Sequence, residues 1–311
     1  MIYGQSGGGS KVTILMGMPS ASGLFHRASA QSGGGGKLPG SEESKEFAGL
    51  TMKQLGIQGN DIAGLQKMEW SNLIAAGEAA AAQMQSRTGP FLWTSTLDGR
   101  IINVQSFYDA APEISKTVPM LIGSVSEEGN AMTSRPTEEE WHANLAKAYD
   151  ETRATAIVAA LKKEYPQKSI PTLSYMCDGS KILNALSIRN RVARMAKMKY
   201  DLHAAPVYTY YFTWQTSIFD SIPGAWHTSE LQFCFDNTKR CEQGTGNTPE
   251  AQALAKKMAT AWANFARTGN PSQPGLEWTA TNPETNPTMV WDNECRMVND
   301  PEGELRKMVP S

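Results

Sequence analysis

Cysteine is scarce: the 311 residues hold four, Cys177, Cys234, Cys241 and Cys295, and no two of them form a C-x-x-C pair. That excludes a disulfide scaffold and the common zinc or dithiol redox motifs, and the four read as mostly buried thiols. Cys234 and Cys241 flank the polar segment FDNTKR and are the pair that an oxidising compartment would allow to bridge. An excess of one charge is also missing. Lys+Arg 29 against Asp+Glu 31 gives a net charge of −2 and a pI of about 6.1, so no basic stripe argues for nucleic acid or an anionic membrane surface. No apolar run approaches the ~18–20 residues of a membrane span. The opening MIYGQSGGGSK lacks the charged and apolar regions of a signal peptide. The Asn-Pro-Ser and Asn-Pro-Thr triplets carry proline in the middle, which leaves no glycosylation sequon.

What is present is ordinary globular material, 40% hydrophobic and 19% charged, with no internal repeat and no second composition regime. A single domain over residues 1–311 is expected. Two apolar residues, Ile2 and Tyr3, run into a glycine-rich turn and read as a strand stub, for which a lead-in upstream is expected. Residues 7–18 predict a mostly buried helix and 25–33 a central strand of small residues. The run GGGG at 33–36 reads as a flexible surface loop. Helices are expected over 42–50, 61–68, 73–85, 137–150, 151–165 and 186–201, the last with its Arg and Lys on the solvent face. Thr137 before three glutamates is an N-cap. Buried strands are expected at 117–124 and 206–214 and a short one at 289–291. The clearest helix is 249–268, with Leu254, Met258, Trp262 and Phe265 at helical spacing and Gly269 as its stop. Strands separated by helices indicate an α/β sheet.

Within this frame Gly4-Gln5-Ser6-Gly7-Gly8 fits G-x-S-x-G, the strained strand-to-helix turn that exposes a serine hydroxyl while small neighbours avoid a clash. A serine nucleophile needs a histidine to take its proton and a carboxylate to orient that histidine. Of the four histidines, His142 falls inside a helix, His203 at a helix end and His26 in a connection, positions that suit surface or packing roles. His227 lies in a loop after the strongest strand, where α/β folds place reactive groups. Glu127 and Glu128 follow a buried strand and are two candidates for the acid. The order serine, carboxylate, histidine is that of an α/β-hydrolase triad. A phosphate-binding loop fails on spacing: GQSGGGSK has no G-K-[ST] ending, and the GGGGK run has Gln31 at the first glycine position and Leu38 after its lysine.

The chain resembles the type B carboxylesterases, the family of bacterial para-nitrobenzyl esterases and cholinesterases. The resemblance rests on five segments in order: GQSGGG, GLFHRASAQSG (23–33), VPMLIGSVSEEG (118–129), GAWHTSELQFCF (224–235) and WANFARTGNPS (262–272). It covers nearly the whole sequence and implies an α/β-hydrolase fold with a mixed, mostly parallel sheet flanked by helices. It also implies Ser6 as nucleophile, Glu128 as triad acid, His227 as general base and the Gly7 amide as an oxyanion donor, with Glu127 a bystander. No metal or organic cofactor is implied, and the substrate would be a small-molecule carboxylic ester. Trp226 and Phe219 are candidates for an acyl or alcohol pocket, or else packing residues.

The sequence departs from the family twice. Gln5 stands where the family usually has glutamate. The long segment that precedes the elbow in the family, including its HGGG-type oxyanion loop, has no counterpart here, so an incomplete or mis-started reading frame is expected, with an open sheet edge favouring self-association. Two functions stay open: a serine esterase acting through an acyl-enzyme, or a hydrolase fold kept for binding.

Overall fold

The computed structural model describes residues 1–58, 61–84, 93–128, 135–180 and 184–309. Residue 85 of the helix expected over 73–85, and Gly129 of the acidic turn, lie outside them. Six strands lie side by side in chain order: β1 (Ile2–Gln5), β2 (Ala28–Gln31), β3 (Met120–Val125), β4 (Val207–Phe212), β5 (Pro287–Trp291) and β6 (Arg296–Asn299). The first five are parallel and β6 returns antiparallel. Among the described residues β1 pairs only with β2. The register aligns Gln5 with Gln31, Gln31 with Gly123, and Val125 with Phe212. The turns after β1, β2 and β3 therefore emerge along one edge.

Twelve α-helices surround this sheet among the described residues: α1 (Gly7–Gly17), α2 (Ser41–Gln54), α3 (Ile62–Gln66), α4 (Trp70–Met84), α5 (Glu138–Ala148), α6 (Glu151–Glu164), α7 (Ile170–Met176), α8 (Ala185–Tyr200), α9 (Leu231–Cys234), α10 (Glu242–Thr245), α11 (Pro249–Thr268) and α12 (Gly303–Lys307). Alternation along each strand decides which helices cover which face. Ala28, Ala30, Met120, Ile122 and Val207 pack with Val12 and Met16 of α1 and Val192 and Met195 of α8. Leu121, Val125, Tyr208, Tyr210 and Phe212 point the other way, onto Leu254, Met258, Trp262 and Phe265 of α11. A satellite core joins α5, α6, α7 and the start of α8 through Trp141, Leu145, Ile157, Leu161 and Leu186. Thr137 opens α5 with a full capping box, its hydroxyl accepting from the Glu140 amide while Glu140 accepts from the Thr137 amide.

Several expectations change. The glycines after β2 are not a surface excursion: Gly34 and Gly35 are buried between α1 and α8, where Gly34 N–H donates to Ser10 Oγ at 3.2 Å and Arg194 donates to the Gly35 carbonyl at 3.0 Å. They are glycine because φ is positive at both and a Cβ on either would strike Thr13 or Met195. The basic residues of α8 do not all face solvent. Arg189 lies over the Tyr211 ring at 3.6 Å and pairs with Glu302, and Lys199, 1% exposed, donates to the Ser115 and Lys116 carbonyls. Burial lowers the Lys199 pKa to about 8. The short helix α7 and the edge strand β6 carry too few periodic apolar positions to show in the sequence. All four cysteines are free thiols, Cys234 and Cys241 included.

The α11 face makes a direct prediction. Phe265 is fully buried, edge-on to Tyr208. Phe265→Ala is expected to lower stability by about 3–5 kcal/mol, read as a lower urea midpoint with unchanged helix content.

Candidate active site

The turn from β1 to α1 is crowded to the limit of backbone contact. Ser6 has φ 56° and ψ −120°, a conformation that non-glycine residues rarely adopt. Its amide donates to the Gln31 carbonyl at 2.8 Å and its carbonyl accepts from Ser10 N–H at 3.1 Å, which fixes it from both sides. A Cβ on Gly4 would lie 2.2 Å from the Gly8 carbonyl oxygen, and one on Gly33 only 2.0 Å from the Ser6 carbonyl oxygen. Gly7 is the first residue of α1, exposed, with an amide that has no partner inside the helix. This is the strained elbow that the G-x-S-x-G spacing predicts, with Gly33 as an additional member.

His227 reaches the same edge of the sheet from the loop after β4. Its Nδ1 is hydrogen-bonded to Glu128 Oε2, and Glu128 Oε1 accepts from Val125 N–H at 3.1 Å. The Glu128 side chain is fully buried and that of His227 is 30% exposed. Burial pulls the His227 pKa down, but the hydrogen bond and charge of Glu128, with Glu230 behind it, outweigh burial and leave it above the ordinary 6.5. His227 Nε2 meets the amide nitrogen of Gln5 at 3.2 Å. Among the described residues the Ser6 hydroxyl has no hydrogen bond.

Glu127 is more than a bystander. It is fully buried, ion-paired with Lys168, and accepts from the Ser126 hydroxyl and from Ala225 N–H at 2.7 Å, while its own amide donates to the Ala225 carbonyl at 3.1 Å. Gly224, with φ 58°, lets the loop pass, since a Cβ there would sit 2.5 Å from the Glu127 carboxyl. The loop carrying His227 is thereby pinned two residues before the imidazole.

Glu230 and Gln31 are the functional candidates that sequence reasoning missed. Glu230 is completely buried under His227, its Oε1 accepting from Gln31 Nε2 at 3.0 Å and from the Tyr210 hydroxyl at 3.3 Å. Burial first, and the charge of Glu128 second, push its pKa up to about 7. Gln31 also accepts from Trp262 Nε1 at 3.2 Å. Its backbone thus holds the elbow while its side chain holds Glu230. The signal was a polar residue ending a strand whose four positions are all buried.

The structure brings Gln5 and Glu128 into direct contact with His227 and sets Ser6 and Gly7 immediately after Gln5. The other histidines stay apart: His142 Nε2 bonds the Thr155 hydroxyl on the surface, His203 follows α8 and His26 is exposed. Phe219 is 55% exposed on an irregular turn, and Trp226 is half-buried against Gly244. A cavity of about 220 Å³ lined by Lys197, Asn282, Asp300 and Arg306 lies at the opposite end of the strands. Among the described residues no group of three or more His, Cys, Asp or Glu could hold a metal, and no helix is long and apolar enough to cross a membrane.

A mostly parallel sheet with helices on both faces and an elbow at its carboxyl edge is the α/β-hydrolase fold. Within that class, the profile of the carboxylesterase family matches residues 1–306, and the chain belongs to this family. It is 26% identical to the para-nitrobenzyl esterase of Bacillus subtilis (strain 168), over 100% of this chain and 62% of the relative. It is 24% identical to the fumonisin B1 esterase of Sphingopyxis macrogoltabida, over 88% of this chain and 49% of that one. Among solved structures it is similar to an esterase from Clostridium hathewayi that hydrolyses aliphatic aromatic polyesters, with a TM-score of 0.74, 25% identity, and 98% and 60% of the two chains covered. A PNB esterase superposes with a TM-score of 0.69 at 27% identity, covering 98% and 62%. The chain thus spans about half to three-fifths of the length of the relatives it matches.

The buried Glu127–Lys168 pair predicts an asymmetry. Glu127→Ala is expected to destabilise by about 3–5 kcal/mol because it strands the lysine, whereas the double variant Glu127→Gln/Lys168→Met recovers most of that loss. Urea midpoints of the three proteins check this.

Proposed function

We propose that this chain carries the catalytic apparatus of a serine carboxylesterase acting on small-molecule carboxylic esters. The observation that supports the reading is the Glu128–His227 pair, whose ring meets Gln5, the residue before Ser6 in the strained elbow. The names of the relatives, all ester or acyl hydrolases among those described above, support the same reaction class.

In this reading Ser6 Oγ attacks the ester carbonyl as His227 Nε2 takes the hydroxyl proton, giving a tetrahedral oxyanion. The Gly7 amide, at the positive end of α1, donates to that oxyanion. Collapse breaks the bond to the alkoxy oxygen, and His227 returns the proton to the departing alcohol. Water then attacks the acyl-Ser6 ester, His227 again taking and returning the proton, which releases the acid and regenerates the hydroxyl. Glu128 holds the imidazole in the tautomer with its proton on Nδ1 and stabilises the imidazolium in both halves.

The test is covalent labelling of the purified chain with a fluorophosphonate, read by intact mass and peptide mapping. Ser6 is expected to carry the label and Ser6→Ala to abolish it; a folded chain left unlabelled would reject the esterase reading in favour of a fold kept for binding. Glu128→Gln is expected to slow labelling by ~10³–10⁴, because the neutral amide no longer selects the tautomer.

The pH dependence has a definite sign. A base works only when neutral, so labelling is full above the His227 pKa and falls as pH drops through it, with a midpoint above 6.5. Ionised Glu230 helps hold that midpoint up. Glu230→Gln is therefore expected to move the acid limb to lower pH, measured as labelling rate from pH 5 to 9.

A further inference from the structure

An amide nitrogen has hydrogens to donate and no lone pair to accept with. The 3.2 Å contact between Gln5 Nε2 and His227 Nε2 is therefore a hydrogen bond only if the ring nitrogen is the acceptor. The ring proton must then sit on Nδ1, where Glu128 Oε2 is placed to accept it. Glu128, from the turn after β3, thus places the ring proton on Nδ1, and the Gln5 amide nitrogen, from β1, leaves Nε2 without one; the ring that satisfies both contacts is neutral, with its proton on Nδ1. That is the state a general base needs, yet its lone pair is already engaged, and the Ser6 hydroxyl makes no hydrogen bond among the described residues.

We propose that Gln5 is a positioning residue that caps the general base, holding His227 in its reactive tautomer while keeping its lone pair from Ser6 until the amide is displaced. The inference rests on the reading of Ser6, Glu128 and His227 given above. The cap is delivered from a rigid support. Gly4 leaves no space for a Cβ against Gly8, and the Ser6 amide is tied to Gln31, so the backbone on either side of Gln5 is fixed and only its side chain can swing. Displacement requires no backbone rearrangement.

The cap has a signature that a purely structural glutamine would not have. A donor on Nε2 stabilises the neutral ring against the imidazolium, so it holds the His227 pKa down against the pull of the charged groups facing the ring, Glu128 and Glu230. Gln5→Met removes the donor at similar size. It is expected to raise the His227 pKa by about half a unit or more and to speed fluorophosphonate labelling of Ser6 about threefold to tenfold on the alkaline plateau. Gln5→Glu keeps the shape but replaces the donor by an acceptor that favours the imidazolium, so its His227 pKa is expected to rise further than that of Gln5→Met.

The experiment pairs the labelling profile with nitrogen NMR of the histidine ring. In the unmodified chain NMR is expected to find the Nδ1-protonated tautomer, and the order of His227 pKa to run unmodified, Gln5→Met, Gln5→Glu. The same series in a Glu230→Gln background separates the ring from the carboxyl that titrates near it. An unchanged or lowered His227 pKa in Gln5→Met, or unchanged or slower labelling of Ser6, overturns the cap while leaving the esterase reading intact. Failure of the esterase reading looks different: Ser6 stays unlabelled in the unmodified chain and in every variant, and the proposal falls with it.

Discussion

A carboxylate taken wholly out of water must be met by donors on every side, and the set that meets Glu127 decides where the rest of the site stands. Lys168, the Ser126 hydroxyl and Ala225 N–H converge on it. Each comes from a different part of the chain: Lys168 from the segment before α7, Ser126 from the end of β3, and Ala225 from the loop after β4. Burying one charge therefore gathers three segments, and the loop so gathered carries His227. Glu128, the adjacent residue, then meets the imidazole from the same turn. The two neighbouring glutamates divide the work, one fixing the loop and the other the ring.

The elbow is held by a second constraint of opposite kind, the absence of side chains. Ser6 occupies a backbone conformation that costs of order 1–3 kcal/mol, which persists only where surroundings over-determine it. Here they do so through contact between backbones. Gly4 and Gly33 let β1, α1 and the end of β2 approach until a single methyl group would overlap a carbonyl, and at Gly9 it would press on one. The same closeness places the Ser6 amide on the Gln31 carbonyl and the Ser6 carbonyl on the first turn of α1, at Ser10 N–H. Strain at Ser6 and small residues around it are one structural fact seen from two sides.

These two constraints differ in how far the sequence reveals them. Strong periodic segments, 249–268 and 206–214, showed their elements because burial on one face imposes spacing that is visible residue by residue. The elbow showed through glycine, whose placement has few other reasons. Glu127 and Glu128 were indistinguishable as a pair in an acidic turn, and the resemblance assigned Glu128 without revealing that Glu127 is buried. A basic residue on a helix is normally hydrated, which is the expectation for Arg189 and Lys199; their burial depends on Tyr211, Glu302 and the carbonyls near Ser115, partners that lie far away in sequence. The run at 33–36 misled for the related reason that glycine signals either freedom or crowding, and only the positions of α1 and α8 decide between them.

Charge balance explains why a neutral residue can stand at position 5. Three carboxylates, Glu127, Glu128 and Glu230, are buried around one imidazole and one ammonium. Lys168 compensates Glu127, and His227, when protonated, compensates Glu128. Glu230 has hydrogen bonds from Gln31 and Tyr210, and burial, with the charge of Glu128 second, pushes its pKa up to about 7. A fourth carboxylate at position 5, next to Nε2 of the ring, would add a further buried charge and favour the imidazolium over the neutral ring. The amide avoids that charge and adds a donor on the nitrogen. It thereby sets the resting state of His227 by hydrogen bonding, in a site where the carboxylates alone would set it by charge.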